Sequence, residues 1–216
     1  MKRSLTILML CAVGLTQVLA SEDESKQGDA TSATSNESDY FTFMETNGDV
    51  TLFVDSQIAM WHVDDAYFPV QFALGAVREK GKGGYELMLG SFTLLTPDGR
   101  AYKPASYNDI MKKYKKRQED QNLLTSNPIK TQETFDSFEL VNAPFYPETA
   151  GRRMVTEGVE LPVSTFTRGL LYFPMPESGL EGVLTVLLET PKIDPPLAVK
   201  FRVPERHHKD KNHDNK

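Results

Sequence analysis

The chain has 216 residues, 39% of them hydrophobic and 25% charged, enough to build the apolar core of one large domain or two small ones. Its 14 glycines and 13 prolines follow no period, which excludes a collagen-like rod. A formal charge of -6 speaks against nucleic acid as a partner, because phosphate recognition calls for a basic surface.

Lys2 and Arg3 precede a mostly apolar run over 5–15, and Val18-Leu19-Ala20 leads into the acidic Ser21-Glu22-Asp23-Glu24. This pattern predicts a signal peptide over 1–20, cleaved after Ala20, and a periplasmic or secreted protein. An uncleaved anchor is disfavoured, since residues 5–20 fall short of the roughly 18 apolar residues of a span and include Thr16 and Gln17. A lipid on Cys11 is disfavoured by the bulky Leu10 before it. Cleavage removes Cys11, the only cysteine, so the mature chain is expected to have no disulfide, no thiolate nucleophile and no transmembrane segment. Residues 21–39 carry many acids and no large apolar side chain, which predicts a disordered acidic leader, and 205–216 reads as a disordered polar tail. The folded domain is expected over 40–204.

Within it, short apolar runs alternate with turn residues. Strands are predicted over 40–43, then 50–54 after an Asn47-Gly48-Asp49 turn, over 57–63, and over 67–77. A Gly81–Gly84 turn leads to a strand beginning at Tyr85. Residues 92–95 follow, and Thr96-Pro97-Asp98-Gly99 reverses the chain into Ala101-Tyr102. Ser106 can then cap a helix, with Asp109 three residues on and Tyr107, Ile110, Met111 and Tyr114 at helical spacing. That helix is expected to run to about Asn122, with residues 122–132 as a potential linker between two subdomains. Strands resume over 134–141, around Gly158, over 165–173 with Gly169 as a bulge, and over 182–188, where Pro191, Pro195 and Pro196 are expected to end the run. The alternation of Leu197, Val199, Phe201 and Val203 completes about nine strands.

Hairpin-sized connections and one inserted helix predict a mainly β fold, an antiparallel immunoglobulin-like β-sandwich, with a jelly roll or small barrel next in order. The segments LLTPDGRAY (94–102) and RGLLYFPMP (168–176), with the signal peptide and acidic leader, resemble uncharacterised bacterial exported telokin-like or immunoglobulin-like β-sandwich domains. The resemblance implies export and a sandwich, and it assigns no catalytic residue.

His62 is the only histidine inside the predicted domain. On a strand, His62 and Asp64 would share a face, so the His62-Val63-Asp64-Asp65 run is the one enzyme-like cluster, a place for a weakly signalled hydrolase or carbohydrate-active site. Trp61 reads either as core or, with Tyr67 and Phe68, as the lining of a carbohydrate or peptide groove. Lys112, Lys113, Lys116 and Arg117 form a basic helix face able to attract an anionic partner, although Glu119 and Asp120 offset part of it at a spacing of four. In the tail, His207, His208, His213 and Asp210 are dense enough to hold a divalent metal loosely. No cofactor is implied. The pattern as a whole suggests a non-enzymatic binding or structural module with a protein or glycan partner in the exported compartment.

Overall fold

The computed structural model describes residues 41–77, 84–131, 133–141, 145–147 and 158–204. The signal peptide, the leader, the Gly81-to-Gly83 part of the predicted turn and the histidine-containing tail, with His207, His208, Asp210 and His213, lie outside them.

Eleven strands are described. β1 (Thr42–Thr46), β2 (Val50–Asp55), β3 (Tyr67–Ala76), β9 (Thr165–Pro174) and β7 (Glu139–Leu140) make one sheet in the order β1-β2-β3-β9-β7. β11 (Ile193–Phe201), β10 (Leu184–Thr190), β5 (Phe92–Leu95) and β6 (Ala101–Tyr102) make a second in that order, and β4 (Tyr85–Met88) pairs with β8 (Gly158–Leu161). Pairing is antiparallel throughout except between β7 and β9. The fold is therefore mainly β with antiparallel sheets.

Strand alternation builds the core. Val50, Leu52 and Val54 of β2, Phe68, Val70, Phe72 and Leu74 of β3, and Leu171 and Phe173 of β9 meet Phe92, Leu94, Leu184, Val186, Leu188, Val199 and Phe201 of the second sheet in one buried cluster. The opposite face of the first sheet is also covered. Phe53 and Ala73 there pack with Ile129 and Phe135 in a smaller cluster joined by Phe138 and Phe166. Residues 122–132 thus contribute Ile129 to packing against the sheet.

Five local expectations are corrected. Residues 57–63 are no strand: Asp55 Oδ1 accepts from the Gln57 amide at 2.8 Å, and Ile58–Trp61 winds into a 3₁₀ turn that buries Ile58 and Ala59. The helix of 106–122 is two helices, α1 (Tyr107–Lys113) and α2 (Arg117–Ser126), because Tyr114 turns extended (φ -115°, ψ 120°) and buries its ring. Gly169 is no bulge: β3 and β9 pair without a break from Tyr67↔Pro174 to Ala76↔Thr165. Pro195 and Pro196 do not end the chain's run but lie inside β11, an edge strand, in the stretch between Ile193 and Leu197 that has no β10 partners. Of 134–141, only Glu139–Leu140 is strand.

Candidate functional site

The site begins with two tight turns. Ala59 N donates to Ser56 O at 3.1 Å and His62 N to Ala59 O at 3.0 Å, so the 3₁₀ turn ends at His62, and Asp65 N donates to His62 O at 3.0 Å. That second turn brings Asp65, and not Asp64, beside the imidazole. Opposite, Ser106 caps α1 by accepting from the Asp109 amide at 3.1 Å, and the break after α1 swings Tyr114 toward His62. α2 starts after Lys116 without a side-chain cap, and its first turn carries Glu119 and Asp120, acids that suit the positive end of a helix.

These elements converge on a closed polar cluster. His62 Nδ1 lies 2.8 Å from Asp65 Oδ2 and 3.0 Å from the Tyr114 hydroxyl, while Nε2 lies 2.9 Å from Asp120 Oδ1. His62 is 3% exposed and Asp120 0%. The Tyr114 and Tyr172 hydroxyls also interact with Asp120. Lys116 Nζ donates to Asp65 Oδ2 at 2.7 Å, closing the cluster toward solvent. Tyr114 packs edge-on to both His62 and Tyr67, and its ring and that of Tyr146 both contact Tyr172.

Electrostatics follow from this enclosure. Burial alone would depress the His62 pKa, but the contacts with Asp120 and Asp65 outweigh it and hold the imidazolium above its ordinary value of 6.5. Burial would raise the Asp65 carboxyl, yet Lys116 and His62 hold it below its usual range. Burial first, and the Asp120 charge second, push the Tyr114 and Tyr172 phenols far up, so both remain protonated. Each ring nitrogen thus faces a carboxylate, Nδ1 in a hydrogen bond with Asp65 and Nε2 in a close ionic contact with Asp120. The two carboxylates sit on opposite sides of the ring and do not converge on one point, as a metal ion requires. Among the described residues there is no group of three or more metal-ligating side chains placed to hold an ion.

Beside this cluster lies an open groove of about 520 Å³. Trp61, 45% exposed, and the edge of His62 form one side. Lys116, Glu119, Asn122 and Ser126, with Leu123 among them, form the other from one face of α2. Asp64 instead borders a wider depression of about 1020 Å³ with Val63, Leu180, Glu181 and Arg202.

The structure thus separates the candidates. Trp61 and Lys116 come together at the groove. Lys112 and Lys113 are exposed on α1, where Lys113 pairs with Asp109 at 2.8 Å, and Arg117 is half-buried; none of the three lines the groove. Lys116 is paired with Asp65, and Asp120 is buried against His62, so neither forms the surface helix pair that the spacing of four suggests. Asp120 and Tyr172 are the members of the cluster that sequence reasoning misses. The signal present is periodic: Ile110, Tyr114, Arg117 and Asp120 follow one another at steps of four, three and three, which places an aspartate on the inward stripe.

Among the described residues no helix is long and apolar enough to cross a membrane. Comparison with known proteins finds no matching family, no matching curated protein and no matching solved structure.

Proposed function

We propose that the protein is an exported, non-enzymatic binding module on an immunoglobulin-like β-sandwich of the telokin-like kind, and that it holds its ligand in the groove beside Trp61. Export rests on the signal-peptide pattern over 1–20, and the sandwich on two antiparallel sheets that share one buried cluster.

The observation that carries the binding reading is the contrast between two neighbours. His62 has a carboxylate at each ring nitrogen and almost no exposure, whereas Trp61, the next residue toward the N-terminus, is 45% exposed over a groove. A general base must present an accessible nitrogen to its substrate, and His62 is 3% exposed with a carboxylate within 2.9 Å of each ring nitrogen. An exposed indole offers a large, rigid contact surface at low entropic cost. The hydrolase alternative draws on His62, Asp64 and Asp65, and it loses Asp64 to the other depression.

The test immobilises the parent chain and a Trp61→Ala variant and exposes both to extract of the cell envelope. The parent retains a component that the variant does not, and the parent shows no turnover of ester or glycoside panels above a heat-denatured control. Equal retention by both chains, or real turnover, contradicts the proposal.

A further inference from the structure

The chemistry of the groove narrows what it holds. One wall is a helix and the other a 3₁₀ turn, and the backbone groups of both are largely spent on internal hydrogen bonds, as with His62 N on Ala59 O at 3.0 Å and Asn127 N on Leu123 O at 2.8 Å. An extended peptide, which binds by adding backbone hydrogen bonds to a free strand edge, has no edge to join here. Besides Lys116 and the edge of His62, the polar residues that line the groove are Glu119, Asn122 and Ser126. Ser126 donates to Asn122 O at 2.5 Å, which leaves its oxygen to accept.

Charge excludes another class. The two cations lining the groove are already committed, Lys116 to Asp65 at 2.7 Å and the His62 imidazolium to Asp65 and Asp120 at 2.8 and 2.9 Å, while Glu119 contributes a further negative charge. Phosphate, sulfate or carboxylate ligands would meet net repulsion there. A ligand matched to these walls is neutral, carries one flat apolar face for Trp61, and displays hydroxyls that both donate and accept around its rim. The volume of about 520 Å³ lies within the usual range of roughly 300–1,000 Å³ for small-molecule sites.

We infer that the groove is a subsite for a neutral saccharide, with one sugar ring stacked on Trp61 and its hydroxyls bonded to Glu119, Asn122 and Ser126. This rests on the binding reading above and adds the ligand class. The supporting residues sit on rigid ground: Ile58 and Ala59 anchor the turn in the core, and the His62–Asp120 contact ties that turn to α2.

The experiment titrates the full chain with neutral oligosaccharides of glucose, mannose and N-acetylglucosamine. The fluorescence of Trp61, the only tryptophan in the chain, and calorimetry read the binding. At least one probe should give a saturable change in both, with little dependence on salt. By calorimetry, Trp61→Ala and Asn122→Ala should each weaken it by about tenfold or more while melting like the parent. No saturable response to any of the three probe classes, with the Trp61-dependent capture from envelope extract intact, overturns the saccharide and leaves the binding reading standing. Loss of both overturns both. A response that survives Trp61→Ala undiminished also overturns the assignment, since the sugar then binds elsewhere.

Discussion

His62 and Asp120 meet at 2.9 Å where water does not reach, so each is the other's main compensation for burial. Asp120→Ala would leave a buried imidazolium facing only Asp65, and breaking a buried pair by removing one partner typically costs about 3–5 kcal/mol. Urea unfolding should show a loss of that order. Asp65→Ala should cost less, because the Asp65 side chain is 22% exposed and water can replace part of what it gives. The same contacts set a pH dependence. The folded-state His62 pKa lies above 6.5, so its contribution is complete below that value and is lost as pH rises through the folded pKa. Asp65 behaves oppositely: its contribution is complete above 3.8 and is lost as pH falls through the depressed folded value. Both are in full between about pH 4 and pH 6.5. The urea midpoint of the parent should therefore fall as pH rises above about 6.5, and in His62→Gln that fall should be shallower; an identical slope would separate His62 from the effect. At this scale the sequence exposes the His62–Asp65 half of the cluster, which is local. It conceals Asp120, because a partner 58 positions away is set by how α2 docks and not by spacing.

Among the elements, the segment over the outer face of the first sheet depends on one glycine. A Cβ at Gly75 would stand 2.2 Å from the Phe135 ring, and Gly75, next to last in β3, is paired on both sides, with Thr51 and Phe166, which leaves it little freedom to yield. Phe135 in turn packs edge-on against Phe53 and stacked on Phe166. Gly75→Ala should destabilise the protein by about 1–3 kcal/mol through overpacking. In a Phe135→Ala background the same substitution should cost much less, so the two changes should be clearly non-additive. Additive losses would mean that the ring does not rest on the glycine. β2, β3, β9 and β10 are legible from sequence because long apolar or alternating runs specify them. The 3₁₀ turn at Ile58–Trp61 is not, because its four residues read equally well as a short strand, and a side chain from the preceding strand, Asp55, decides the outcome. The α1–α2 break is hidden for a related reason. Tyr114 fits a continuous helical stripe, and only the pull of its ring toward His62 and Tyr172 opens the backbone there.

Across the whole molecule, the main core cluster draws on both larger sheets and on the β4–β8 pair, so the described part is expected to unfold in one cooperative step. A chain trimmed to 41–204 should keep that transition within a few degrees of the full chain and be unaffected by reducing agent, as scanning calorimetry can check; loss of the transition would show that an excluded end packs on the core. The enclosure of His62 turns an enzyme-like sequence cluster into a support for the Trp61 groove. The most direct measurement is a nitrogen NMR titration of the His62 ring, assigned by comparison with His62→Gln to distinguish it from His207, His208 and His213. The His62 ring should be protonated on both nitrogens at pH 6.5, with a midpoint above that value. A midpoint at or below 6.5, with a neutral ring carrying a free nitrogen near neutral pH, would contradict it and return His62 to the role of a base.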